Sequence, residues 1–221
     1  MEDRKNAGIR VPLDVRDRAL PDYWSEACAQ LANTDALIAD LINQYPETIL
    51  SSRKDPFYTL LRAIVGQQIS VKSADSVWSR LENFSNFNFS PEFFLKADSE
   101  ELRSLGLSRQ KIEYIKNISS YFYEKQITDN YFKDKSSSEI SSELIKIKGI
   151  GTWTIEMFLI FYALEPDIFP VKDIGVINTM KKLYGFSSLD EILKHSERWH
   201  PWSTVAVWYI WRSLDDEPVL Y

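Results

Sequence analysis

Apolar residues recur at helical spacing along most of the chain. Between Tyr23 and Tyr45 they fall at Trp24, Ala27, Leu31, Leu37, Ile38, Leu41 and Ile42, a stripe that predicts two helices. Thr34 or Asn33 is expected to start the second, with Asp35 in its first turn. A further pair is predicted over 56–81. There Phe57, Leu60, Leu61, Ile64 and Val65 form one apolar face, Gly66 and Ile69-Ser70 interrupt it, and Ser70 offers an oxygen to cap the next helix. The Asn-, Ser- and Phe-rich stretch 83–90 reads as a loop, and short helices are expected over 91–105 and 108–125, around Gly106. Ser137 or Ser138 precedes the periodic EISSELIKI and would cap it. Then come KGIGTWTIEMFLIF, a Gly-x-Gly turn opening an apolar helix of about three turns, and IGVINTMKKLYG, a helix beginning just after Asp173. Strictly alternating stretches are few, glycine is scarce and no segment repeats at a fixed period, so the pattern predicts an all-α fold.

A chain of 221 residues with 44% hydrophobic content can bury one large helical domain or two small lobes sharing a core. Residues 1–20 are polar and expected to be loosely ordered, which leaves 21–221 as the folded domain. The charged N-terminal stretch lacks the apolar segment of a secretory signal. No apolar run reaches the roughly 18 residues of a membrane span, so no membrane partner is expected. Cys28 is the lone cysteine, which excludes an internal disulfide and a four-cysteine zinc or iron–sulfur site. His195 and His200 do not match the spacing of a metalloprotease helix pair. A metal-poor intracellular protein, cytoplasmic or nuclear according to its host, is the expectation. The net charge of −6 and pI near 5.1 argue against binding through blanket positive charge. They leave room for local clusters and backbone N–H groups.

The candidate chemistry is concentrated in 144–176. Gly149 and Gly151 flank Ile150 and permit backbone angles that other residues avoid. Ile150 can then tuck inward while consecutive N–H groups face outward at the start of the next helix, where they and the helix dipole favour a phosphate. Lys146 and Lys148 add positive charge. The same residues also fit an ordinary helix–helix turn with a glycine cap. Downstream, Asp173 closes FPVKD and would cap the helix that follows. A carboxylate there suits a second role. Breaking an N-glycosidic bond builds positive charge on the sugar, and a buried ionised carboxylate stabilises that charge and orients or deprotonates water.

Four motifs in order, LLRAIVGQQISVKSADSVWSRL (60–81), KGIGTWTIEMFLIF (148–161), FPVKDIGV (169–176) and HPWSTVAVWYIW (200–211), cover most of 55–212. Together they resemble the helix-hairpin-helix/Gly-Pro-Asp (HhH-GPD) superfamily of DNA glycosylases, in its 3-methyladenine DNA glycosylase II, or AlkA-type, branch. The resemblance implies two helical lobes with a cleft between them and a hairpin at 145–152 that grips the DNA backbone through Lys148, Gly149, Gly151 and Thr152. It implies no organic cofactor, but a monovalent cation, Na⁺ or K⁺, on the carbonyls of Ile145, Ile147 and Ile150. It places the catalytic carboxylate at Asp173 and the residue that plugs the gap left by a flipped base at Gln68, with Gln67 beside it. Trp153 stands where strand-cutting members carry a lysine nucleophile, so the chain is expected to be monofunctional; the missing four-cysteine cluster separates it from the endonuclease III branch. Lys148 departs from a frequent proline, and Met157 and Ile174 stand where some relatives have pocket tyrosines.

For the base pocket the best candidates are Trp153 and Trp211, then Trp202, with Trp208 and Trp24 weaker, because aromatic faces stack on electron-poor cationic bases; tryptophans in a helical protein are also core residues. Lys172, with Arg109, Lys111, Lys116, Lys181 and Lys182, would frame the DNA path, and the acidic Asp215-Asp216-Glu217 would face away from it. The expected partner is double-stranded DNA containing alkylated bases, engaged by a monomer. An alkylated purine is already cationic and leaves easily, so one carboxylate suffices where ordinary glycosides need two. Three readings stand beside this one: a glycosylase for another damaged base, a non-catalytic helix-hairpin-helix DNA-binding module, and a helical adaptor suited to the acidic pI.

Overall fold

The structure is a computed structural model that describes residues 19–47 and 49–214. The looseness expected of residues 1–18 and the placement expected of Asp215-Asp216-Glu217 lie outside the described residues. Ala19, counted in the loose segment, is instead paired: its N–H and carbonyl exchange hydrogen bonds of 2.9 Å with Ser52 in an isolated antiparallel bridge.

Among the described residues the remaining regular structure is helical, in agreement with the all-α expectation. The helices are α1 (Trp24–Thr34), α2 (Ala36–Gln44), α3 (Pro56–Gly66), α4 (Val71–Ser85), α5 (Pro91–Lys96), α6 (Ser99–Ser104), α7 (Arg109–Glu124), α8 (Ser137–Leu144), α9 (Thr152–Phe158), α10 (Ile174–Tyr184), α11 (Leu189–Ser196) and α12 (Ser203–Arg212). A π-helical turn, Leu159–Ala163, extends α9, and a 3₁₀ turn, Glu197–Trp199, follows α11. No helix among the described residues is long and apolar enough to cross a membrane.

Local chemistry sets most of the boundaries. Ser70, Ser108 and Asp173 accept backbone N–H groups from the first turns of α4, α7 and α10, Ser70 and Asp173 as their positions predict. Two caps differ from expectation. Asp35, not Thr34 or Asn33, caps α2, because its carboxylate reaches both Leu37 N and Ile38 N. Ser136, not Ser137 or Ser138, caps α8, because only from there does Glu139 fall at the position that completes a reciprocal capping box. The segment 91–105 is two helices, since Asp98 starts a second one by accepting from Glu100 N and Glu101 N.

Two cores form, giving two lobes. One gathers α3 to α8, with residues such as Leu60, Ile64, Trp78, Ile115 and Phe122. The other joins the start of the chain to its end: Trp24, Leu31 and Ile38 pack with Val176, Met180, Trp199, Trp208 and Tyr209. The α9 segment is the shared wall, with Phe158, Leu159 and Tyr162 in the first core and Met157, Ile160 and Phe161 in the second. Trp24 and Trp208, weaker pocket candidates, are core residues and meet edge to face at 6.4 Å.

The second lobe is tied by Asp35. Its Oδ2 accepts from Tyr184 Oη (2.9 Å) and Trp199 Nε1 (2.9 Å) and lies 2.8 Å from His195 Nε2, so one buried carboxylate links α2, α10, α11 and the 3₁₀ turn. Burial pushes this carboxyl up, but the bonds from Trp199, His195, Ile38 and Tyr184 outweigh it and hold it below the usual range. A depressed folded-state carboxyl stabilises above its unfolded pKa, and that contribution is lost as pH falls through the folded value. Asp35→Ala is therefore expected to cost about 3–5 kcal/mol at neutral pH, read from urea melts. In the same melts, acidification should destabilise the wild type more than the variant.

Candidate active site

The hairpin joins α8 to α9 across the first core. Ile147 and Ile150 are buried in that core, while Gly149, Gly151 and Thr152 line an open cleft of about 700 Å³. Gly149 has φ +107°, and a Cβ there would stand 2.2 Å from the Tyr114 ring. Glycine is thus required at 149 by conformation and by contact. Among the described residues nothing beyond its chain neighbours lies within 4 Å of a Cβ built on Gly151, which borders the cleft. Lys148 is not a free cation: it pairs with Glu113 on α7.

Oxygen donors suited to a monovalent cation are present in the turn, since backbone carbonyls are uncharged ligands. The carbonyl of Ile147 accepts from Ile150 N at 3.0 Å and has a second lone pair for an ion. The carbonyls of Ile145, Ile147 and Ile150 would be its ligands.

Asp173 closes the loop that leads into α10, and three N–H donors converge on its carboxylate. Oδ1 accepts from Val176 N (2.8 Å) and Trp211 Nε1 (3.2 Å), and Oδ2 accepts from Trp153 Nε1 (2.8 Å). The carboxylate therefore caps α10 and is also held by two indoles, Trp153 and Trp211, that both pack against the second core. Gly175 lies against it: a Cβ at 175 would approach Oδ1 to 3.1 Å. Asp173, Trp153 and Gly175 line both the open cleft and a second pocket of about 150 Å³ behind it. That inner pocket is walled on one side by Trp153, Met157, Phe161 and Trp211, and on the other by Arg62, Gly66, Val71 and Ala74 of the α3–α4 elbow. Trp211 is stacked on Phe161 at 5.7 Å, which fixes its plane.

The elbow separates the two glutamines. Gln67 is a tether: its Nε2 donates to Thr154 Oγ1 (2.9 Å) and Gly149 O (3.3 Å), locking the elbow to the hairpin. Gln68 is exposed, has φ +58° and lines the open cleft. Lys172 also lines it, 3.4 Å from Thr152 Oγ1. Of the other expected basic residues, Lys111 lines the cleft while donating to Val65 O at 2.7 Å, and burial holds its ammonium below the usual range. Lys116 is turned to the carbonyls of Leu95 and Ala97 at the end of α5 and is not among the cleft-lining residues.

Trp202 does not belong to the pocket. It stacks on Tyr23 at 5.6 Å and donates to Gln30 Oε1 at 2.7 Å, because the entry to α12 faces α1. Ile174, beside Asp173, is 74% exposed at the cleft, whereas Met157 is buried in the inner wall. The sequence reading passed over Arg62, Tyr114, Gly175 and Glu156. Burial pushes the Glu156 carboxyl up to about 7; Lys172 opposes the shift and Asp173 adds to it. Its Oε2 is buried without a hydrogen-bond partner among the described residues. A charged residue inside the mostly apolar WTIEMF was the available signal.

A family model described as HhH-GPD superfamily base excision DNA repair protein matches residues 61–201. DNA-3-methyladenine glycosylase 1 of Schizosaccharomyces pombe is 32% identical over 182 residues, 80% of each chain. The structure of the Schizosaccharomyces pombe 3-methyladenine DNA glycosylase in complex with abasic DNA superposes with a TM-score of 0.76 at 31% identity, covering 85% of this chain and 96% of that one. A DNA-3-methyladenine glycosidase from Bacillus halodurans gives a TM-score of 0.67 at 30% identity, over 89% and 91%.

Proposed function

The chain belongs to the HhH-GPD superfamily of base excision DNA repair proteins, and on that premise we propose that it is a monofunctional DNA-3-methyladenine glycosylase of the type II branch. It hydrolyses the N-glycosidic bond of alkylated purines in duplex DNA and leaves an abasic site. The observation that carries the reading is Asp173, a carboxylate held by three N–H donors where the open cleft meets an aromatic pocket.

The residues divide the work. The turn at Gly149 and Gly151, with Thr152 and Lys172, receives the DNA backbone, and Gln68 fills the gap left by the flipped nucleotide. Trp153 and Trp211 bound the pocket that takes the base. As the C1′–N bond breaks, its electron pair leaves with the purine, and Asp173 stabilises the positive charge left on the sugar. The oxygen of water, oriented by the same carboxylate, then bonds to C1′, and the proton it gives up passes by way of Asp173 to solvent. Bound on the carbonyls of Ile145, Ile147 and Ile150, Na⁺ or K⁺ would add positive charge beside the phosphate. Trp153 has no amine to form a Schiff base, so no strand scission follows. The cleft is built within one chain, which supports action as a monomer.

The test uses an end-labelled duplex with a single 7-methylguanine. Incubation should create an alkali-labile site while the untreated strand stays intact, and borohydride should trap no protein–DNA adduct. A trapped adduct or a strand cut without alkali would overturn the monofunctional assignment; no alkali-labile site would overturn the glycosylase. The same duplex tests Gly175: Gly175→Ala should slow base release about 10-fold by displacing the Asp173 carboxylate a few tenths of an ångström, with an unchanged melting temperature. Wild-type rates in that variant would show that the Asp173 geometry is not limiting.

A further inference from the structure

Glu156 stands on α9 one turn after Thr152, and residues four apart on a helix share a face. Thr152 lines the open cleft, whereas Glu156 lines neither the cleft nor the inner pocket. Its Oε2 is buried with no hydrogen-bond partner among the described residues. Such an oxygen is costly while the group carries charge. Burial accordingly pushes the carboxyl up to about 7.

Two charges act on this carboxyl, both from the loop that leads into α10: Lys172 opposes the rise and Asp173 adds to it. α9 and its π-helical extension carry no other charged residue, and Tyr162 there donates to Asp129 O. α3, which packs on α9, contributes Tyr58, bonded to Glu82 and Trp78, and Arg62, paired with Asp75. The Lys172 ammonium lies 3.4 Å from Thr152 Oγ1 at the edge of the cleft. It therefore has two claimants: the Glu156 carboxylate one turn further along α9, and a DNA phosphate received at Gly151 and Thr152.

Building on the reading that this cleft takes the DNA backbone, we propose that Glu156 is a positioning residue that gives up Lys172 to a backbone phosphate and takes a proton from solvent in exchange. In the free protein the ionised carboxylate attracts the ammonium. When the phosphate enters, Lys172 turns to it, and Glu156 faces a new negative charge with less cation to offset it. Both changes favour the neutral acid. The proton ends on a Glu156 oxygen, so the complex holds more protons than its separate partners. Affinity is full where Glu156 is already neutral in the free protein, and it falls as pH rises from about 7 to the higher value of the complex. The histidines are held elsewhere, His195 by Asp35 and His200 by Asp167, and neither lines the cleft.

The experiment titrates wild type and Glu156→Gln with an abasic duplex at constant ionic strength from about pH 6 to about pH 9, read by fluorescence anisotropy. Wild-type affinity should fall about 5-fold or more across this range. Glu156→Gln, which keeps the shape and cannot ionise, should hold nearly the wild-type affinity of the acid end throughout. Calorimetry of the same binding near pH 7.5, in buffers of different ionisation enthalpy, should show proton uptake by wild type. Lys172→Met, a change at the surface, should take up fewer protons, a result that stands even if Glu156→Gln folds poorly. No uptake by wild type, equal uptake by Lys172→Met, or the same pH dependence in a folded Glu156→Gln overturns the proposal and leaves the glycosylase reading intact. No duplex binding at any pH removes both.

Discussion

Asp173→Asn is expected to slow base release by about 10²–10³-fold or more, while duplex binding and the fold survive. The cap on α10 tolerates the change, since asparagine caps helices as well as aspartate does. The charge is what disappears, and no other carboxylate lines the cleft or the inner pocket among the described residues. A structural cost is also expected, because three N–H groups point at this side chain. An amide offers one acceptor oxygen, so its NH₂ must face an indole N–H, at about 1–3 kcal/mol. Single-turnover excision, thermal melting and binding to abasic duplex, measured on one preparation, separate the two effects. Near wild-type excision would reduce Asp173 to a helix cap.

Gly149→Ala is expected to give the largest loss among changes in the hairpin. The added methyl must occupy a backbone of φ +107° and meets Tyr114 atoms at 2.2–2.7 Å. Strain and overlap together are expected to cost about 3 kcal/mol or more. The damage spreads to the elbow, because Gly149 O is a partner of Gln67. Gly151→Ala should behave oppositely. Its φ of −106° is ordinary, and among the described residues no atom beyond its chain neighbours lies within 4 Å of the new methyl. Stability should stay within about 0.5 kcal/mol, yet affinity for abasic duplex should fall, because the methyl enters the space assigned to a phosphate. Fluorescence anisotropy and thermal melting of the two variants provide the comparison. Equal affinity losses at equal stability losses would contradict the division of labour between the two glycines.

The fold was legible in the sequence because its signals are local. Helical spacing, the Ser70 cap, the Gly149 turn and the Asp173 cap all act within a few residues. Legibility failed where a side chain is claimed by a distant one. Trp202 and Trp211 are both pocket candidates in the sequence, but Tyr23 and Gln30 hold the first against α1 while Asp173 holds the second at the site. Lys148 reads as a phosphate partner until Glu113 on α7 is seen beside it. Gln67 and Gln68 are neighbours in sequence, and only the positive φ at Gln68 sends them to different tasks. Arg62 sits in an apolar stripe with no sequence cue that it lines the inner pocket. Asp35 was expected in a first turn, and its gathering of Tyr184, His195 and Trp199 is a tertiary fact.

The most direct test of the central claim is chromatographic detection of free bases after wild type and Asp173→Asn are incubated with dimethyl sulfate-treated DNA. The account predicts that wild type releases 3-methyladenine and 7-methylguanine and that Asp173→Asn releases neither above the spontaneous rate. Equal release by the two proteins, or none by wild type that still binds the DNA, would contradict it.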